Sequence, residues 1–187
     1  MTFHRIFARA FLLIVVLSAF AGAAHASDIS IFVGMELPGS IRSNNVKTPL
    51  DNGPVYCLRY GSKFARYFGL EHTLALSPNY LFPGANTSVE EAKGFIYSSN
   101  LMLNFPGMNQ KMVPFMTAGV GLVHQYGDRD LPVGTKLAFN YGGGLKFPHL
   151  AGPLGARIDL RGYRAGIFSE TVDILELSFG LMISLGR

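Results

Sequence analysis

The sequence has one cysteine, Cys57, and no tryptophan. A single thiol excludes an intrachain disulfide framework and a cysteine-based zinc site. Charge is scarce as well. Lys, Arg, Asp and Glu make up 15% of the 187 residues, against about 25% in an average soluble domain. With 49% hydrophobic residues, this balance excludes an intrinsically disordered chain, which needs low hydrophobicity and high charge. The third absence concerns long apolar runs. A helical membrane protein shows several runs of about 18 apolar residues or more. Here one run is strongly apolar, and it lies at the N-terminus. The remaining apolar residues are dispersed among 22 glycines, with 15 phenylalanines and 8 tyrosines. Aromatic-rich, dispersed apolarity without spanning helices points to β-structure. The length suits one domain.

The N-terminal run is an address. Residues 1–9 carry Arg5 and Arg9 and no acid, and residues 10–21 read AFLLIVVLSAFA. Small residues follow, ending in Ala24-His25-Ala26. These are the charged, apolar and A-x-A parts of a secretory signal peptide. Cleavage is expected between Ala26 and Ser27, leaving residues 27–187 as the working domain. An uncleaved anchor is the alternative, but the run is short for a span. Removing Arg5 and Arg9 lowers the net charge from +4 to +2. No Lys/Arg cluster remains to suit nucleic acid. Cys57, exported alone, reads as a small buried residue.

The rest of the chain divides into eight segments with a period of two, the strand period. They cover residues 28–37, 54–62, 68–81, 94–105, 113–124, 137–147, 155–164 and 173–185. In the first, Ile29, Ile31, Val33, Met35 and Leu37 share one face, with Ser30, Phe32, Gly34 and Glu36 on the other. In the last, Leu175, Leu177, Phe179, Leu181, Ile183 and Leu185 oppose Glu176, Ser178, Gly180 and Ser184. Residues 38–53, 82–93 and 125–136 read as long loops. Residues 63–67, 106–112 and 148–154 read as short turns, and 165–172 is intermediate. Alternating short turns and longer loops characterise transmembrane barrels, whose strands run about 9–11 residues.

Period two carries no label for inside and outside, so the polar face must supply one. Within the strands, Glu36, Arg59, Glu71, Lys146, Arg157, Asp159, Arg161 and Glu176 all fall on it. They are four positive and four negative charges. The same face carries Gly34, Gly61, Gly119, Gly121, Gly142, Gly144 and Gly180. On a solvated face glycine only weakens a strand. Inside a narrow barrel it makes room for long side chains, and an eight-stranded barrel is just wide enough for side chains to fill. Buried charges need partners, and here they are equal in number. The expected fold is therefore all-β, an eight-stranded antiparallel up-and-down transmembrane β-barrel with an interior charge network. Aromatics near strand ends, including Tyr60, Phe105, Phe147, Tyr80, Phe95, Tyr97 and Phe139, are candidate interfacial girdles. A soluble lipocalin-like barrel, with the apolar face inside, is the alternative.

Four motifs resemble one family. Arg59-Tyr60-Gly61 with Phe64, followed by Tyr67-Phe68-Gly69-Leu70-Glu71, is similar to a hairpin of small outer-membrane barrels. Val113-Pro114-Phe115 with Gly119-Val120-Gly121 resembles a second strand of these proteins. Gly155-Ala156-Arg157-Ile158-Asp159-Leu160-Arg161 resembles their Gly-x-Arg-x-Asp-x-Arg strand. Ser178, Gly180, Ile183 and Leu185 match the alternating barrel-insertion signal, although the chain ends in Leu185-Gly186-Arg187 and lacks the usual terminal Phe. The family is the outer-membrane protein β-barrel domain of the OmpA/OmpX type. The resemblance implies an eight-stranded barrel with both termini in the periplasm and an outer-membrane location. The partners expected are outer-membrane lipid and lipopolysaccharide, with periplasmic chaperones and the barrel-insertion machinery during biogenesis.

Chemistry is sparse. His124 near Asp128 and Asp130 could activate water, but an Asp-rich loop is the ordinary reading. His72 falls on the apolar face, and no Ser stands beside a His in a deacylase-like pattern. Asp159 with Glu176 lies among arginines and reads as part of an ion-pair network. Gly142-Gly143-Gly144 is a strand feature, because no Lys-Ser/Thr and no helix follow. The expectation is a non-enzymatic barrel without cofactor or metal, carrying at most a narrow ion path and acting through its loops. The alternative is an envelope enzyme acting on lipid A or peptides. The address gives a direct test: protein purified from outer membranes should begin at Ser27 by N-terminal mass spectrometry, whereas an uncleaved anchor would begin at Met1.

Overall fold

The structure, a computed structural model, describes residues 27–38, 40–43, 46–49, 52–78, 92–105, 111–127, 135–166 and 172–185. The expected signal peptide, Tyr80, Asp128 and Asp130 lie outside these residues. Among the described residues there are ten strands: β1 Ser27–Pro38, β2 Ser40–Ser43, β3 Val46–Pro49, β4 Gly53–Lys63, β5 Phe68–Ser77, β6 Ala92–Asn104, β7 Val113–Gly127, β8 Thr135–Ala151, β9 Leu154–Ala165 and β10 Val172–Ser184. Eight of them close a barrel in the order β1-β10-β9-β8-β7-β6-β5-β4, every pair antiparallel. Closure by β1 against β10 pairs Asp28 with Ser184 and Leu37 with Leu175. A closed ladder satisfies the backbone without water and leaves no edge, which a spanning sheet requires.

The larger departures from the sequence reading are three. Residues 38–53 contain the β2–β3 pair, with Ile41 opposite Thr48 and Arg42 opposite Lys47. Strands of four residues are too short to reveal a period amid Pro, Gly and Asn. Strand β5 ends at Ser77, not at residue 81. Strand β8 runs on through Pro148 to Ala151, and the turn shrinks to Gly152-Pro153. A register irregularity between Phe147 and Ala151 accommodates the proline, which cannot donate to a regular ladder. Gly152 takes a positive φ of 61°, which the tight turn needs and glycine adopts freely.

The barrel is apolar outside and polar inside. Ile31 and Leu181 are 60% and 63% exposed, while Arg59, Glu71 and Asp159 are 0% exposed. A lipocalin-like barrel would hold Leu175 and Leu177 inside, but both face outwards at 42% and 39% exposure. Such a surface is stable only against lipid. At the long-loop end, Arg164 and Asp173 form an exposed pair 3.4 Å apart, where lipid gives way to water. Phe179 is outward and midway along β10. Phe179→Arg should destabilise the barrel by about 2–4 kcal/mol, the cost of a cation at the bilayer midplane. Urea unfolding in lipid vesicles would read this loss, and an unchanged midpoint would place Phe179 outside the hydrocarbon.

Candidate functional site

The middle of the lumen holds three guanidinium groups, Arg59, Arg157 and Arg161, and three carboxylates, Glu71, Asp159 and Glu176. None is more than 1% exposed. Asp159 is the hub. It accepts from Arg157 Nε at 2.8 Å, from Arg161 Nη2 at 2.9 Å and from Arg59 Nη1. Glu71 accepts from Arg157 Nη1 and Arg161 Nη2. Glu176 accepts from Arg59 Nη2, from the Tyr163 hydroxyl at 2.7 Å and from the Ser178 hydroxyl at 2.6 Å. Arg157 and Arg161 flank Asp159 at two-residue spacing, so the strand period alone sets the three on one face. Strand β9 stands four places from β5 in either direction around the barrel. The bonds from Arg157 and Arg161 to Glu71 therefore cross the full width of the lumen.

Desolvating an ion costs several kcal/mol, and attraction repays this only with good geometry and satisfied hydrogen bonds. Sharing each carboxylate among several donors supplies that geometry, since charge-assisted bonds from a planar guanidinium are strong and directional. Aromatic rings complete the packing. The Arg59 guanidinium carbon lies 4.1 Å from the Phe32 ring centroid, and that of Arg157 lies 4.3 Å from Phe115 and 5.4 Å from Phe32. Desolvated cation–π contacts of this kind contribute about 2 kcal/mol. Each ring occupies the space of a missing side chain. Gly180 is the register partner of Phe32, and Gly144 that of Phe115. A Cβ at Gly180 would stand 2.5 Å from Phe32 Cδ1, and one at Gly144 would stand 2.9 Å from Phe115 Cε1.

The other two expected charges behave differently. Lys146 pairs with Asp28 at 3.0 Å near the short-turn end. Glu36 is buried in register with Glu176, and it has no ion-pair partner among the described residues. Its Oε1 makes no hydrogen bond. The eight residues therefore do not form one network. Six meet at mid-barrel, Lys146 joins a separate pair, and Glu36 joins neither among the described residues. The sequence reading put Phe32 and Tyr163 on the face that lines this interior but gave them no part in the network, and it named neither Asp28 nor Phe115 there. Asp28 was legible, since it continues the even-numbered face of β1 back to the strand's start. Cys57 is free and buried, with Sγ 3.8 Å from Glu176 Oε1.

The residues of the expected insertion signal divide between faces. Ser178 is in the lumen, where it also accepts from Arg59 Nη1 at 3.3 Å. Gly180 faces inwards beneath Phe32, while Ile183 and Leu185 face outwards. His124 is exposed, with Nδ1 2.8 Å from the Thr135 hydroxyl. His72 lies on the outer wall, with Nδ1 3.1 Å from the Tyr97 hydroxyl. Among the described residues, no group of His, Cys, Asp and Glu is placed to hold a metal ion.

A closed eight-stranded barrel with a charged core and an apolar belt is a transmembrane barrel of the outer-membrane type. Solved structures of that class match it. Neisserial surface protein A is similar with a TM-score of 0.62 at 12% identity, over 84% of this chain and 96% of that one. OprG of Pseudomonas aeruginosa is similar with a TM-score of 0.59 at 13% identity, over 88% and 97%. Ail, the attachment invasion locus protein of Yersinia pestis, is similar with a TM-score of 0.50 at 18% identity, over 85% and 99%. The fold is thus that of the small eight-stranded outer-membrane barrels, in keeping with the OmpA/OmpX-type resemblance. No family model and no curated protein sequence matches the chain.

The hub position gives a quantitative test. Asp159→Ala leaves three buried guanidinium groups facing two carboxylates, and removing one partner of a buried pair costs about 3–5 kcal/mol. The variant should unfold at distinctly lower urea concentration in vesicles. A loss below about 1 kcal/mol, the range of exposed pairs, would mean that water reaches the network.

Proposed function

We propose that the protein is a non-enzymatic outer-membrane barrel whose interior is a closed strut and whose role is exercised at the cell surface by its long connections. The observation that carries this reading is the close packing of the lumen. The six network side chains are all 1% exposed or less. Towards the long loops a second, mainly apolar layer follows, with Val55, Ala75, Ile96, Val123, Ala138 and Ile174 all 2% exposed or less and Glu36 buried among them. An ion entering there would leave its hydration shell against mostly aliphatic groups, at a cost of several kcal/mol. A rigid closed scaffold carrying variable loops is a common way to present a binding surface. The name of Ail describes attachment for that protein, and a surface-interaction role is the corresponding reading here. Lipid and lipopolysaccharide would contact the apolar belt. Periplasmic chaperones and the insertion machinery would act during biogenesis, the latter on Ser178, Gly180, Ile183 and Leu185.

The enzyme alternative would rest on His124, whose Nδ1 lies 2.8 Å from the Thr135 hydroxyl. The experiment is electrical. Folded protein, verified by its heat-dependent mobility in SDS, should give no steady conductance in planar bilayers. Steady conductance that Arg157→Ala alters would replace the strut reading with a narrow ion path through the network.

A further inference from the structure

The outer wall is not uniformly bulky. An apolar groove of about 990 Å³ crosses it over strands β5 to β10. Its course follows two register rows. One runs Phe68, Leu103, Met116, Gly143, Leu160, and the other Leu101, Ala118, Tyr141, Gly162, Leu175. Ala118, Gly143 and Gly162 are small residues at outward positions, so the wall sinks between bulky neighbours. The Tyr141 ring leans over Gly162, where a Cβ would stand 2.7 Å from Tyr141 Cζ. That leaves the space above Gly143 and Ala118 as the bed of the groove.

The groove begins at the short-turn end, because Phe68 opens β5 and Leu103 is next to last in β6. It then rises past Gly143 to Leu175, two residues from Asp173 at the long-loop end. Its mouth is basic and aromatic. Phe64 stacks on Phe68 with ring centroids 6.4 Å apart, and the Arg66 guanidinium lies 5.2 Å from the Tyr67 ring. The Tyr67 carbonyl accepts from Asn104 N at 2.7 Å, which ties this turn to the end of β6. Lys63, Arg66 and Lys111 are exposed on the rim, and no outward acid accompanies them among the described residues of this end. A cation cluster beside interfacial aromatics, at the foot of an apolar trough in the lipid belt, complements one kind of molecule.

We propose that this groove is a binding site for an anionic glycerophospholipid of the periplasmic leaflet. One acyl chain lies over Ala118 and Gly143, and the phosphate sits against Arg66 and Lys111. Ordinary annular lipid would exchange freely at a smooth wall. Here the chain gains contact on both sides of the trough while the head gains charge attraction. Its headgroup contacts come from the short turns and its bed from the outer wall, away from the long connections to which the proposed surface role is assigned.

The test uses the folded full barrel in nanodiscs of phosphatidylglycerol or phosphatidylcholine, released and weighed by native mass spectrometry. One retained phosphatidylglycerol is expected, held more tightly than phosphatidylcholine by about fivefold per engaged cation. The double variant Arg66→Gln, Lys111→Gln should remove the headgroup preference. Ala118→Leu, which fills the bed at an exposed position, should weaken retention of both lipids. Heat-dependent mobility in SDS verifies folding of each variant, and the rim variant tests the site even if the groove variant fails to fold. Three outcomes overturn the proposal: equal retention of the two lipids, a preference that survives loss of both cations, or a dimer in place of bound lipid.

Discussion

Three guanidinium groups in a tube one side chain wide are the constraint on which the rest of the molecule depends. Each must face carboxylates within hydrogen-bond reach; Asp159 serves Arg157 and Arg161 from their own strand, while Glu71 and Glu176 reach their guanidinium partners from other strands. That requirement fixes the register of β5 against β9 and of β4 against β10. A slip of one residue would turn Arg157, Asp159 and Arg161 together into lipid. Sheet hydrogen bonds are indifferent to such a slip, so the side chains choose among ladders of similar backbone energy. The core thus supplies specificity as much as stability.

Small residues and large ones are distributed to serve that core. Phe32 and Phe115 lie beneath the guanidinium groups because Gly180 and Gly144 are empty beside them. The interior is graded along its axis. A single Lys146–Asp28 pair lies near the short turns, the six-charge network at the centre, and aliphatic packing towards the long loops. Glu36 interrupts that gradient as an acid whose cross-strand neighbour, Glu176, already serves Arg59, Tyr163 and Ser178.

What was legible in the sequence follows from the physics of strands. Period two needs only local residues, so the eight barrel strands and the faces of Arg59, Glu71 and Asp159 could be read directly. So could the grouping of Arg157 and Arg161 about Asp159, two residues either way. The bond from Arg59 to Glu176 spans 117 positions and depends on how closure staggers the strands, which no local pattern encodes. Counting charges by sign gave a balanced set of eight, yet balance did not mean pairing: Asp28 took Lys146, and among the described residues Glu36 has no ion-pair partner. The β2–β3 pair escaped because four residues of strand span only two periods, too few to show alternation amid Pro, Gly and Asn.

The inward charges have a consequence before the barrel exists. Most barrel strands carry charged or amide residues on the face that later lines the lumen, and β7 carries Thr117 and two glycines there. No stretch beyond the N-terminal run therefore reaches the apolar length of a spanning helix. Charged residues at the centre of a candidate span resist insertion by about 2.5–3.5 kcal/mol each. During export the unfolded chain is thus too polar, segment by segment, to be retained in the inner membrane. Only closure, which hides Arg59, Arg157 and Arg161 together, converts it into a body that prefers lipid. The lumen charges act as a passport across one membrane and as the internal brace within the next.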